Sequence, residues 1–353
     1  MGMVYKLNAY FAHWDIYFDD TSLLLKFFAM ALATVEFVLG IYLLLGIRRR
    51  FTLVSTFFVL LVMTGLTVYV YLYNPVSDCG CFGEALVLSN SETLVKNIIL
   101  LCACAYVLHS WRYVRRFISE RNQWLTSIYS LGYVIVLGLY SLHYLPVLDF
   151  TAYQKGTDLR AAWTGEAVGN VPEELLTLTL FDWNGQDDVT ESVLCDTGYV
   201  FLLTLPEVRL ADDGCNDRIN DIVDECQDHG VRFYGVVGDG TDSLVLNDWI
   251  DRTGAAYDYL LCDAVQLKAM VRSNPGLLLL KNGVLVNKWG NNNLPVLSGD
   301  SSIEEKDGLF SPAVRLLMWF FIPLALIVVL DGIWIARKYY KHYIFKKTLN
   351  KEL

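Results

Sequence analysis

The 353-residue chain is short of basic charge in its middle: between Val147 and Pro312 stand 28 Asp/Glu against 11 Lys/Arg. An acidic body of that kind excludes nucleic acid as a partner. A signal peptide is also lacking, because Met1 to Thr21 has no basic n-region ahead of an apolar core. No quinone, haem or nucleotide motif is visible, so the sequence names no cofactor, and no metal site is expected.

What is abundant is apolar side chain. At 54% hydrophobic and 14% aromatic, the chain exceeds the roughly 45–50% apolar content of soluble proteins, and the excess lies in blocks. Five blocks are long enough for about 30 Å of hydrocarbon: Leu24–Gly46, Phe51–Tyr73, Thr93–Val107 (lengthened by His109 to Tyr113), Trp124–Tyr144 and Ala313–Ile335. This is the pattern of an integral membrane protein in contact with the lipid bilayer. Arg48, Arg49 and Arg50 follow the first block, Arg112, Arg115 and Arg116 the third, and Arg337, Lys338 and Lys341 the fifth. By the positive-inside rule those three ends are cytoplasmic. The region after Tyr144 and the connection after Tyr73 then lie on the other side, which in a bacterial inner membrane is the periplasm, where disulfides persist.

The connection Asn74 to Gly83, NPVSDCGCFG, brings two thiols together. Cys79 and Cys81 can close a ring on themselves only with their Cα atoms near the lower end of the usual 4.4–6.8 Å or so, and such exposed disulfides are labile. Two readings stand: a redox dithiol that exchanges with a partner, or a compact turn built of small residues. Ser89 to Glu92 has the form of a capping box that starts the third span near Asn90. Lys96 then sits near the mouth of that helix, where an ammonium would lower a cysteine pKa, while Asp78 would raise it. Glu36, at mid-depth in the first span, is costly in lipid and is either a functional carboxyl or a protonated one bonded to a neighbouring helix. Thr64, Gly65 and Thr67 suit close helix packing. Cys102 and Cys104 lie roughly 15–20 Å along the third helix from the turn, too deep to complete a four-thiolate site with Cys79 and Cys81, and they read as buried small apolar residues.

The helical part, with FVLGIYLLLG, then NPVSDCGCFGEALVLS, then a helix opening LVKNIILL, resembles the DoxX-like and MauE-like redox-associated membrane proteins, in the branch found in Bacteroidota with a periplasmic extension. That resemblance implies a four-helix bundle whose first helix precedes a segment like VYKLNAYF. It therefore implies a helix ahead of Met1, six spans in all and a cytoplasmic amino terminus. It also implies two kinds of activity, namely thiol–disulfide exchange through Cys79 and Cys81 with an exported protein, or a non-enzymatic maturation role of the methylamine-utilisation type. A structural subunit of an envelope complex, with the acidic domain binding a basic partner, is a third reading.

The expected organisation is a helical membrane domain over 1–146, a glycine-containing linker over 147–174, an exported α/β domain over 175–300, and a final membrane helix with a basic tail over 301–353. In the exported part, LLTLTLFD, the turn at Asn184-Gly185 and the run to Val193 read as a hairpin. GYVFLLTL and VRFYGVVG read as buried strands flanking a helix over Asn216–Asp228 that buries Ile219, Ile222, Val223 and Cys226. Leu267 to Trp289 gives helix, Asn274-Pro275, strand, turn and strand. This resembles the closing half of thioredoxin-like domains of the peroxiredoxin and TlpA type, which implies that Pro275 is cis. Where a redox-active member carries C-x-x-C, this chain has Pro206, Glu207, Val208 and Arg209. Cys226 lies eleven residues past Cys215, about 16 Å along a helix and too far to bridge, whereas Cys195 and Cys262 either pair or are buried. The domain thus reads as a binding platform.

Overall fold

The computed structural model describes residues 11, 23–73, 88–167, 169, 171–296 and 311–352. The chain divides into two compact units, Met1–Leu139 with Phe310–Leu353, and Tyr140–Leu309.

The first unit is helical: α1 Leu23–Leu45, α2 Arg49–Tyr73, α3 Asn90–His109 and the start of α4 (Gln123–His143), joined by a last long helix running Pro312–Glu352. All five are long and apolar enough to cross a membrane, the last over Pro312–Lys338. Their outward faces carry Phe28, Leu44, Phe58, Ile99, Ile128 and Trp319, all exposed. Apolar surface on that scale has to be covered, and lipid covers it here. The expected capping box is present: the Ser89 side chain accepts from the Glu92 N–H, and Glu92 accepts from the Ser89 N–H. Of the small residues in α2, Thr67 is buried, whereas Gly65 is exposed with nothing within 4 Å of where a Cβ would stand. Gly65 is therefore no close-packing point. Cys104 is buried as expected, but Cys102 is exposed on the surface of α3, because residues two apart on a helix cannot share a face.

The basic ends converge. The Phe117 N–H donates to the Leu45 carbonyl, and Arg49 Nη1 donates to the carbonyls of Arg112 (3.1 Å) and Val114 (2.6 Å). Gly46 has φ of +67°, and a Cβ there would run into the Arg115 carbonyl, so this crossing requires glycine. The last helix packs Phe320 and Leu324 against Ile41, Leu45 and Ile118. Pro323 lies inside it and has no N–H to give the carbonyl four residues earlier. That carbonyl, of Trp319, accepts instead from the Tyr129 hydroxyl at 2.7 Å.

The second unit is one six-stranded sheet with helices on its faces. Its strands are β1 Phe181–Asp182, β2 Tyr199–Leu205, β3 Arg232–Gly238, β4 Asp258–Cys262, β5 Gly276–Lys281 and β6 Val284–Gly290, in the order β1-β4-β3-β2-β5-β6. β2, β3 and β4 are parallel, and β1, β5 and β6 antiparallel to their neighbours. The parallel core is continuous Val, Leu and Phe because both faces are covered. Leu202 and Leu278 bury on one side, Phe201 and Leu279 on the other. The helices are α5 Leu159–Thr164, α6 Glu173–Leu176, α7 Thr190–Leu194, α8 Asn216–Asp228, α9 Ser243–Thr253 and α10 Ala264–Met270; the long carboxyl-terminal helix is α11. In α8, Ile219, Ile222, Val223 and Cys226 are all buried. The Asn274-Pro275 bond is cis. Asn282 and Gly283, with φ of 52° and 74°, make the two-residue turn between β5 and β6 that Asn-Gly favours. Strand order, directions and the cis-proline ahead of β5 make this a thioredoxin-like fold.

Two local expectations differ from the structure. The run to Val193 is not a strand: Thr190–Leu194 is the short helix α7, and β1 pairs with β4 as well as bridging Asp188 across the Asn184-Gly185 turn. Thr190 explains the change, since its hydroxyl accepts from the Leu180 N–H at 2.7 Å and ties the segment back upon itself. The glycine-containing stretch 147–174 also packs into the domain. Tyr153, Leu159 and Ala162 are buried in its core, and the Gly156 and Leu159 N–H groups donate to the carbonyls of Leu285 and Gly283.

Candidate functional site

β2 ends at Leu205, and Pro206, Glu207, Val208 and Arg209 follow, the last two in a short 3-10 turn. Ligands in open α/β sheets bind outside the carboxyl ends of the parallel strands. There a cleft of about 300 Å³ is lined by Pro206 to Arg209 from the end of β2, Gly238 to Asp242 from the end of β3, and Ala264 after β4. Gly238 is needed for the close approach, as a Cβ would meet the Pro206 carbonyl oxygen at 2.5 Å. The cis-proline loop is fastened to the same edge: Asn274 Nδ2 donates to the Glu207 carbonyl at 2.7 Å, and the Asp212 N–H donates to the Asn274 carbonyl at 3.0 Å. Lys268 Nζ is 2.6 Å from Glu207 Oε1. Asn291 Nδ2 donates to Asp212 Oδ2 at 2.7 Å, and the Ser273 hydroxyl to the Pro275 carbonyl at 2.7 Å. Polar and rigid, this edge carries no thiol where the fold usually places its dithiol.

The domain's own cysteines lie outside the Pro206–Arg209 segment. All four are free. Cys215 precedes α8, its Sγ 3.5 Å from the Asp212 carbonyl; burial, with the Asp212 carboxylate beside it, pushes its pKa up to about 11. Burial likewise pushes Cys226 and Cys262 up to about 12. A thiol needs its thiolate to react, and at pKa 11 only about one in ten thousand is ionised at neutral pH. Cys195 is exposed and Cys262 buried with Gln266 Oε1 3.6 Å away, so the open choice between pairing and burial resolves as free for both. Iodoacetamide applied to the native protein should therefore modify Cys195 readily, Cys215 slowly with a tenfold gain per pH unit up to about 11, and Cys226 and Cys262 only after unfolding. Peptide mass spectrometry reads each site, and fast modification of Cys215 at pH 7 would contradict the account.

In the helical unit, polar side chains of α2 and α3 meet. Asn97 on α3 is buried and donates to the Thr67 hydroxyl of α2 at 2.7 Å. Lys96, half-buried beside it, lies within electrostatic reach of Glu36 on α1. The charge of Lys96 is thus felt at Glu36 on another helix, a relation that spacing along the chain did not reveal. Cys79 and Cys81 lie outside the described residues. Cys104 Sγ contacts the Leu53 carbonyl at 3.8 Å and belongs to the packing of α2 on α3.

Residues 7–110 match the family model of methylamine utilisation protein MauE. The MauE match spans α1, α2 and α3 and includes Glu36, Cys79, Cys81 and Lys96, and with the five apolar helices it makes this a multi-pass membrane protein. It covers less than a third of the chain, and the acidic domain lies wholly outside it. No curated protein matches the chain. Among solved structures, the chain is similar to the thioredoxin domain of a thiol-disulfide oxidoreductase from Bacteroides vulgatus, at 17% identity over 32% of this chain and 85% of that one, with a TM-score of 0.26. A secreted disulfide oxidoreductase from Mycobacterium tuberculosis gives 15% identity over 36% and 92%, also at 0.26. Peroxiredoxin Q from Xanthomonas campestris gives 15% over 36% and 89%, again at 0.26.

Two charged residues that sequence reading passed over are structurally central. Asp331 on α11 is buried; its Oδ2 accepts from the Ser119 N–H and its Oδ1 from the Ser119 hydroxyl and Asn122 Nδ2, all at 2.6 Å. A lone acid in LIVVLDGIW was a visible signal, since charge inside a span is rarely idle. Lys288 in β6 reaches Asp149 Oδ2 at 2.5 Å, the Tyr153 carbonyl at 2.8 Å, the Thr151 hydroxyl at 3.0 Å and the Met270 carbonyl at 3.1 Å. No local pattern marks it.

Proposed function

We propose that this is a thiol–disulfide exchange protein of a bacterial inner membrane, with Cys79 and Cys81 as the reacting pair and the acidic thioredoxin-like domain, in the periplasm, as the platform for an exported partner. The observation that carries this reading is the thiol-free edge at Pro206 to Arg209 in a thioredoxin-like fold. It favours docking as the domain's role and chemistry in the MauE-matching unit. The convergence of Arg49, Arg112 and the segments around them at one end of the helices supports a cytoplasmic end there, with the helix ends at Tyr73 and Ser89 at the other.

In the step proposed, a thiolate of the exported partner attacks one sulfur of the oxidised Cys79–Cys81 pair. The S–S bond breaks, a mixed disulfide forms, and the leaving thiolate takes a proton. The partner's second thiol then attacks its own sulfur in the mixed disulfide, so that the partner gains a disulfide and Cys79 and Cys81 end as two thiols. Two electrons pass from partner to turn. Lys96, near the mouth of α3, favours the thiolate by its charge.

Acid trapping of native membranes should give mixed disulfides on Cys79 or Cys81, and the double variant C79S/C81S should lose them while the bundle stays folded. Adducts that persist unchanged in the double variant would sink the exchange reading. Full alkylation of both cysteines without reductant, with activity kept in the serine variants, would favour instead a non-enzymatic maturation factor, a reading that the match to a methylamine utilisation protein supports.

A further inference from the structure

The membrane unit holds a cleft of about 340 Å³ at its basic end, between the segment before α4 and the final helix, lined by Arg121, Asn122, Leu125, Ile327, Leu330, Asp331 and Trp334. Its wall is of two kinds. Leu125, Ile327 and Leu330 form an apolar lower part continuous with the exposed faces of α4 and α11. At its upper rim the Arg121 guanidinium lies 5.6 Å from the centre of the Trp334 ring, and Lys338 Nζ lies 5.5 Å from the same ring. Among the described residues neither cation has a carboxylate partner. The nearby acids are otherwise engaged: Glu120 pairs with Arg116, and Asp331 is buried in its three hydrogen bonds to Ser119 and Asn122.

We propose that this cleft binds an anionic phospholipid, its phosphate between Arg121 and Lys338 and an acyl chain along Leu125, Ile327 and Leu330. Charge complementarity and depth select this occupant. Two cations held on an indole at the edge of a span sit at headgroup level, where tryptophan itself prefers to lie. Basic pockets between membrane helices on the cytoplasmic side are the usual holders of anionic headgroups. A soluble phosphate would use the rim alone and leave the apolar part uncovered.

The test uses the full chain in vesicles of phosphatidylcholine carrying either brominated phosphatidylglycerol or brominated phosphatidylcholine, with tryptophan quenching as readout. The expected result is stronger quenching by the anionic lipid, with the excess absent in W334F, since Trp334 is the cleft's tryptophan among the described residues. Each basic residue near a charged headgroup is worth about fivefold in affinity, so R121Q/K338Q should raise the half-saturating fraction of phosphatidylglycerol roughly twentyfold. R337Q, altering a neighbouring cation outside the cleft, should leave it unchanged. Equal quenching by the two lipids, an excess that survives in W334F, or an excess abolished by inorganic phosphate would each overturn the proposal. If the double variant does not fold, K338Q alone should still show about a fivefold loss.

Discussion

Replacing Lys288 with methionine is expected to loosen the sheet edge of the acidic domain by about 3 kcal/mol, the lower end for removing one partner of a buried ion pair. Lys288 is nearly buried and Asp149 only partly so, which is why the lower end applies. Methionine keeps the stem volume, so the loss isolates the charge: Asp149 and the carbonyls of Tyr153 and Met270 all lose their donor. Hydrogen exchange on the full chain should show the slowest amides of β5 and β6 exchanging roughly a hundredfold faster. D149N should do less, because the Thr151 and carbonyl contacts remain; equal exchange in wild type and K288M would remove the clamp from the account. The pH dependence has a definite sign. Burial lowers the Lys288 pKa from 10.5, with Asp149 opposing. The unfolded chain therefore holds that proton more tightly, and through this residue the domain gains stability as pH rises toward 10.5.

Asp331→Leu is the second change of large effect. It leaves the Ser119 N–H, the Ser119 hydroxyl and the Asn122 amide without their acceptor, and an unsatisfied buried donor costs about 1–3 kcal/mol. The hydroxyl and amide can turn elsewhere, so about 3 kcal/mol in total is expected. The same variant leaves Tyr129 on the Trp319 carbonyl and Tyr133 on the Leu316 carbonyl. Helix α11 should then stay attached at its outer part and loosen at the basic end. Proteolysis of detergent-solubilised protein should cut after Arg121 or Arg337 at least tenfold faster than in wild type. D331N, which keeps one acceptor oxygen, should fall between. Cutting rates in D331L within twofold of wild type would show that the three bonds hold nothing.

How much of this was legible in the sequence depends on how local the cause is. The face of α8, the capping box at Ser89 and Glu92, and the Asn282-Gly283 turn are each set by residues within a few positions, and each was readable. Pro275 was readable as well, because its place between a helix and the closing strand pair is itself a pattern. The segment over Thr190–Leu194 was not, since a run this short fits strand or helix equally and a hydroxyl ten residues from its partner decided it. Tyr153 and Leu159 looked like linker because their partners lie in β6, more than 120 residues on. The same holds for the candidate site: Glu36, Lys96 and Asp331 could each be flagged singly as charges in apolar runs, but the groups they act on come from distant parts of the chain. Cys79 and Cys81 rest on motif alone.

Helix α11 continues from Lys338, the last residue of its apolar span, to Glu352. Fourteen more residues at 1.5 Å each add roughly 20 Å of rod. The sequence of that extension includes Lys346, Lys347 and Lys351. Charges at a bilayer are felt over about 8 Å in physiological salt, so a rod of this length carries its backbone more than two screening lengths beyond the apolar span. The helix thus begins in the lipid and ends in the electrolyte, beyond the reach of the surface charge.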